Sequence, residues 1–392
     1  MNGAGGVVIG ADYRGLGVVR SLGRRGVPVW VLRGEDRLAG WSRYALRSID
    51  WPAACEAEQA DFLVRLADEH GLHGWTLFPT SDVTAKMVSR HHSQLSTRFR
   101  LTTSPWDRYR HAADKRLVYA RAAQLGICHP RTMCPTSAAE LKTIDLDFPV
   151  ILKPAMHNVH NAFTDAKAWR VDTRAQLLAR YADACALVGS DLVMVQELVP
   201  GGGEAQHSYA CICDNGVVLT WLTARRTRQY PPDFGRASTF VETTDDHEVA
   251  ALAEKLIADL ELTGPVEVEF KRHARDGRLR LLDVNARVWV WHSIGLAAGV
   301  DFAFDAYQVA NGVAIVPRQG KAGLRWVRLS TDLPTSAREI MRRHIRVGDF
   351  LSSLRPPLGG PLSAIDDPLP ALMELPLMCR MELQRYRRGA LV

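Results

Sequence analysis

The sequence predicts an α/β fold. A Rossmann-like parallel sheet opens the chain and leads into a second unit of mixed strands and helices. Three observations predict it. Residues 6–32 read as strand, helix, strand. A buried apolar strand ends abruptly in Lys153, and two period-2 apolar runs within residues 264–287 flank a hairpin turn.

Each element rests on a local pattern. Gly6–Gly10 is a short buried strand, Leu16–Arg25 has helical periodicity, and Val27–Leu32 is a second strand. The loop between them, Gly10-Ala-Asp-Tyr-Arg-Gly15-Leu-Gly17, lacks the G-x-G-x-x-G spacing. The opening is therefore Rossmann-like without NAD. Trp75–Phe78 is a strand running into Pro79-Thr80-Ser81-Asp82. Those polar residues serve either a ligand at the strand's C-terminal end or a plain helix N-cap.

A second unit begins near Ser104. Asp114-Lys115 opens a helix that ends at Leu125-Gly126, with Gly126 as the cap. Phe148–Pro154 is a strand, Ala175–Val188 a helix, and Leu192–Glu197 a strand before the turn Pro200-Gly-Gly-Gly203. Ser208–Cys213 and Val217–Arg225 form a hairpin around Asp214-Asn215-Gly216. Asp246–Leu260 and Phe302–Asn311 are helices. The Pro- and Arg-rich tail holds helices at Ala337–His344 and Leu377–Arg388, with Pro376 suited to a first turn.

Bulk properties exclude several classes. The chain has 392 residues, enough for two or three domains, and its 47% hydrophobic and 23% charged content is ordinary for a soluble protein. No apolar run reaches the roughly 18–20 residues of a membrane helix. Met1–Val19 lacks a basic region before a long apolar core, so no signal peptide is expected. The seven cysteines show no zinc-site spacing, and reduced thiols in a cytoplasmic protein account for them. A formal charge of +6 accompanies no nucleic-acid-binding motif, so no nucleic-acid or membrane partner is expected.

The chemistry gathers at 264–287. Asp276-Gly277 turns the chain, so Glu269 comes near Asp283 and Asn285 on the next strand. Asp283, Asn285 and Arg287 alternate and leave one face. Two carboxylates and a carboxamide make an oxygen cage for a hard cation such as Mg²⁺, and the arginine suits a phosphate or carboxylate.

Asp114-Lys115, Lys153-Pro154, Gln196-Glu197-Leu-Val-Pro-Gly201 and Glu269 with Asp283-x-Asn285-x-Arg287 stand in order. With these, residues 1–315 resemble the ATP-grasp superfamily of carboxylate–amine ligases. The closest likeness is to the bacterial subgroup of predicted ATP-dependent carboligases, whose signature Lys167-Ala-Trp169-Arg170 and Arg225–Gly235 resemble. The resemblance implies an α+β ATP-grasp unit in two lobes, at 105–190 and 191–316. A pre-ATP-grasp domain at 1–104 precedes it, and a C-terminal extension at 317–392 follows.

The resemblance also implies roles. Lys115 and Lys153 hold the nucleotide phosphates. Gln196, Glu197, Leu198 and Val199 form the hinge that reads adenine. Glu204, with Glu197 as competitor, bonds the ribose. Glu269, Asp283 and Asn285 hold Mg²⁺ (or Mn²⁺), although most relatives carry Glu where this chain has Asp283. Arg287, with Lys153, acts on the reacting phosphoryl or acyl group. Substrate candidates are Arg225, Arg226, Arg228, the loop Phe234–Thr239, Trp289, Trp291 and His292; the tryptophans fit a core strand equally well. The segment 155–164 lacks the glycines with which many relatives close over the phosphates, leaving His157, Asn158, His160 and Asn161 as donors.

The implied reaction joins a small-molecule carboxylate, activated as an acyl phosphate by ATP, to an amine. The resemblance admits a homodimer. A phosphotransferase that stops at a phosphorylated product would share every nucleotide residue. A non-catalytic nucleotide sensor would have no need of two acidic ligands beside a phosphoryl-facing arginine.

Overall fold

Three sheets organise the described residues. A computed structural model describes residues 4–142, 145, 147–156, 161–230, 237–362 and 364–387. His157, Asn158, His160 and the start of the 234–239 loop lie outside the described residues. Strands β1 (Gly6–Ile9), β2 (Val29–Arg33), β3 (Ala45–Asp50), β4 (Thr76–Pro79) and β5 (Arg100–Leu101) pair in parallel in the order β3-β2-β1-β4-β5. β1 and β4 are buried at every position, which is why their sequences are apolar but for Thr76. The helix Tyr13–Gly23 follows β1 and is capped by Asp12, whose carboxylate accepts from the N–H groups of Arg14 and Gly15. Gly15 lets that helix approach the strand end, because a Cβ there would lie 2.1 Å from the Gly10 carbonyl oxygen.

Strands β6 (Thr132–Met133), β7 (Val150–Pro154), β8 (Trp169–Val171) and β9 (Val193–Glu197) form an antiparallel sheet in the order β6-β9-β7-β8. It carries its own core of Leu152, Phe163, Val171, Leu177, Tyr181 and Val195. The expected division at residue 190 assigned β9 to the larger lobe. β9 instead lies between β6 and β7, so that division falls inside a hydrogen-bonded sheet.

The largest sheet contains β10 (Gln206–Asp214), β11 (Val217–Tyr230), β12 (Ala237–Thr244), β13 (Gly264–Arg272), β14 (Leu279–Asn285), β15 (Arg318–Gln319), β16 (Arg325–Val327) and β17 (Leu358–Gly359). Its order is β14-β13-β10-β11-β12-β16-β17, with β15 beside β11. Asn215 and Gly216 turn β10 into β11 with φ of 46° and 81°, as a tight hairpin requires.

The tail is more than a helical extension, since β15, β16 and β17 all join this sheet. Its helices also begin earlier than the sequence predicts, at Leu329–Met341 and Leu369–Arg387, with Pro334 and Pro376 inside them. Contacts anchor the turns ahead of each proline. Asp332 is buried against Arg228, and Glu374 accepts from Arg328 and Ser330. Among the described residues no helix is long and apolar enough to cross a membrane.

The tail also straps the parallel sheet in place. Buried Asp367 accepts from Arg20 Nε at 2.8 Å, Ser42 Oγ at 2.7 Å and the Arg43 N–H at 2.9 Å. Asp367→Ala strands the Arg20 guanidinium in the interior. We predict a loss of about 3–5 kcal/mol in urea denaturation. Asp366→Ala, on the more exposed Arg24 pair, should cost at most about 1 kcal/mol. Equal losses would show that the strap contributes no more than a surface pair.

Candidate active site

The β13–β14 hairpin sets the site. Glu269 pairs with Asp283 and Glu267 with Asn285, while the register skips Leu282. A bulge of this kind frees a carbonyl from the ladder. The Leu282 carbonyl accepts from Tyr119 OH at 2.9 Å and from Lys153 Nζ at 3.3 Å. The irregularity thus helps to seat the strand-final lysine of the smaller sheet. Lys115 opens the helix Lys115–Gln124, capped by Asp114, and its ammonium lies 3.0 Å from Asp283.

These groups line one cleft of about 640 Å³. Its walls come from the parallel sheet (Arg14, Ser81, Asp82), from β7–β9 (Lys153, Lys167, Gln196–Val199) and from the hairpin. Ser81 caps the helix Asp82–Arg90, and Asp82 also reaches across the cleft to Arg287. The helix N-cap expected for that loop is present, and Ser81 and Asp82 also line the cleft. Arg287 donates to the two Asp82 oxygens at 2.7 and 3.0 Å and to Asn285 Oδ1 at 3.0 Å. Asn285 Nδ2 donates to Glu267 at 3.1 Å and to Glu269 at 3.0 Å. Arg226 lies 2.6 Å from Glu269.

The electrostatics follow from burial and neighbours. Burial would raise the Asp283 carboxyl, but Lys115, Lys153 and Lys167 overcome it and hold the pKa below the usual range. Glu269 is likewise lowered, with Arg226 and Lys167 outweighing burial. Glu267 goes the other way: burial and the adjacent Glu269 push it up to about 7. Burial lowers Lys153 to about 8, with Asp283 opposing and Lys115 and Lys167 adding repulsion. Burial also lowers Lys167.

The donor set suits a hard cation. Two carboxylates held in their ionised form and the Asn285 carboxamide offer oxygens of the kind a hard cation takes. Among the described residues no three His, Cys, Asp or Glu side chains converge to hold an ion alone. An ion there would need the carboxamide and further oxygens besides the two carboxylates.

Other expected residues lie apart. Gln196–Val199 line the cleft, but the Gln196 side chain is engaged by Tyr119 and Thr132. Glu197 accepts from the Arg131 N–H. Glu204 is exposed, accepts from the Gly202 N–H and does not line the cleft. Of the arginine cluster only Arg226 enters it. Arg225 pairs with Glu242. Arg228 pairs with Asp332 between the rings of Phe240 and Phe350. Strand alternation separates Arg225 from Arg226, and irregular pairing around Arg228 turns it away as well. Trp289 is fully buried against Phe302, and His292 contacts the Arg14 carbonyl at 3.0 Å, so both belong to the core. Trp291 does line the cleft and donates to Glu267 at 2.9 Å. The sequence reading passed over Glu267, although it alternates with Glu269 as Asp283 does with Asn285.

The family model for the carbamoyl-phosphate synthase L chain, ATP binding domain, matches residues 236–316, which include both hairpin strands. The fold is similar to Rhizobium etli pyruvate carboxylase (TM-score 0.64, 17% identity, 82% of this chain and 30% of that one). It is also similar to an L-amino acid ligase from Bacillus licheniformis (TM-score 0.61, 15% identity, 79% and 75% covered). Biotin carboxylase from Campylobacter jejuni gives a TM-score of 0.63 at 16% identity, with 81% and 74% covered. The chain has the ATP-grasp fold. It spans less than a third of the pyruvate carboxylase chain. By sequence, no curated protein matches it. The smaller sheet and the hairpin sheet both contribute to the cleft lining.

Glu267 makes stability pH-dependent. The folded chain keeps its proton up to about pH 7, against an ordinary value of 4.5. The folded state therefore binds more protons across that window, and this group's contribution falls as pH rises through it. We expect Glu267→Gln to flatten the decline in Tm between pH 4.5 and 8, measured without Mg²⁺. An unchanged decline would mean that Glu267 is ionised throughout.

Proposed function

We propose that the cleft is the active site of an ATP-dependent ligase that activates a carboxylate as an acyl phosphate and joins it to an amine. One observation carries the reading: Glu269, Asp283 and Asn285 converge with Lys115 and Lys153 in a single cleft. The relatives' names, among them an L-amino acid ligase, support the same chemistry. ATP and Mg²⁺ (or Mn²⁺) are the proposed cofactors.

The residues divide the work. Lys115 and Lys153 neutralise phosphate charge and orient the chain of phosphates for in-line transfer. The backbone at Gln196–Val199 faces the base. Glu269, Asp283 and Asn285 would hold Mg²⁺, which would supply positive charge to offset that developing on the phosphates. A substrate carboxylate oxygen forms a bond to the γ-phosphorus. The bond from that phosphorus to the bridging oxygen breaks, and its electron pair leaves with ADP. The amine then attacks the acyl carbon, phosphate departs with the bonding pair, and the amine proton passes to solvent. Arg287, once released from Asp82, can steady the tetrahedral oxyanion. The wall of Arg14, Asp82 and Trp291 is where the substrates would sit.

Two measurements test this. Glu269→Gln and Asp283→Asn should each lower ADP release by about 10²-fold or more at saturating Mg²⁺, with the fold retained. Near-wild-type rates in both would overturn the metal assignment. Hydroxylamine should intercept the intermediate as a hydroxamate when the acid is supplied without amine. A phosphorylated product that accumulates without amine and resists hydroxylamine would favour a phosphotransferase instead.

A further inference from the structure

Lys167 stands out in three ways. It ends the short helix Ala162–Ala166 with φ of 62° and ψ of −37°. Glycine is the usual residue at a helix end with positive φ, because a Cβ there meets the backbone. Holding lysine in such a conformation costs about 1–3 kcal/mol, and strain of this kind gathers at functional sites. Second, its side chain lines the cleft and feels the charges of Glu269 and Asp283. Third, among the described residues its ammonium has no hydrogen-bond or ion-pair partner. Its two neighbouring lysines differ: Lys115 is paired with Asp283, and Lys153 donates to the Leu282 carbonyl.

The surroundings say what would pair with it. Trp169, two residues on, pairs with Leu152, so Lys167 lies beside the end of β7 that carries Lys153. Lys153 is repelled by both Lys115 and Lys167. Three ammonium groups thus crowd around Asp283 and Glu269, with Arg226 already on Glu269. A single carboxylate ligand would leave positive charge uncompensated. A polyanion with several oxygens at one end would not. The peptide N–H of Lys167 is tied back to Thr164 at 3.2 Å, which holds the residue in this orientation.

Resting on the ligase reading above, we propose that Lys167 contacts the phosphoryl group that is transferred, binding its non-bridging oxygens in the triphosphate and through transfer. Lysine is kept at the strained position because its ammonium meets the terminal phosphoryl there. The residue itself forms and breaks no covalent bond.

The test uses the full-length chain and calorimetry with three probes: a non-hydrolysable ATP analogue with Mg²⁺, ADP with Mg²⁺, and adenosine. Lys167→Met and Lys167→Gly should weaken the triphosphate analogue by about 10-fold or more, as expected for one charged hydrogen bond. ADP and adenosine should change by no more than about 3-fold, roughly 0.6 kcal/mol. Lys167→Gly should also keep or raise Tm, because glycine accepts the positive φ. Retained preference for triphosphate over ADP in Lys167→Gly would overturn the proposal alone. Equal weakening of all three probes would assign Lys167 a structural role and overturn it too. Failure of the wild-type chain to bind any of the probes would instead overturn the nucleotide reading on which the proposal rests.

Discussion

Buried carboxylates need cations, and that constraint shapes the molecule. Glu269 and Asp283 sit on one hairpin, largely shielded from water. Leaving such a charge unpaired costs several kcal/mol. Their partners come from distant parts of the chain. Arg226 arrives on β11, Lys115 on the helix after the parallel sheet, and Lys153 and Lys167 around the smaller sheet. Arg287, beside the hairpin, is paired in turn with Asp82 at the end of β4. Each sheet thus places at least one charge in the cleft. The cleft is lined by residues contributed with all three sheets.

The same charges explain how the cleft can exchange partners. Lys115 and Arg226 pair with the two carboxylates that, on the proposed reading, would hold a metal ion. A cation taking up those oxygens would release both side chains toward an anion. Phosphate binding and metal binding would then reinforce each other, since each supplies what the other displaces. Asp82 holds Arg287 across the cleft in a similar way. The strap from Asp367 reaches Arg20, on the same helix as the cleft-lining Arg14, and Ser42.

Much of this was legible in the sequence, and the reason is periodicity. The Asp276-Gly277 turn and the alternation of Asp283, Asn285 and Arg287 were enough to pair Glu269 with Asp283. Lysine at a strand end and Asp114 as a helix cap were equally local signals. What escaped depends on irregularity or distance. The bulge at Leu282 has no sequence mark. The irregular pairing around Arg228 breaks the alternation that would have placed it beside Arg226. Asp82 and Arg287 are 205 residues apart. β15, β16 and β17 have two or three residues each, too few for a period to register. Trp289 and Trp291 read alike in the sequence, yet the first fills the core and the second reaches Glu267.

The most direct test of the account is a crystal structure with Mn²⁺ and a non-hydrolysable ATP analogue, with the metal located by anomalous scattering. The account predicts a Mn²⁺ peak among Glu269, Asp283 and Asn285. It also predicts the phosphates against Lys115 and Lys153, and loss of the 3.0 Å Lys115–Asp283 and 2.6 Å Arg226–Glu269 contacts. A nucleotide bound outside this cleft, or a metal peak away from those three side chains with both ion pairs intact, would contradict it.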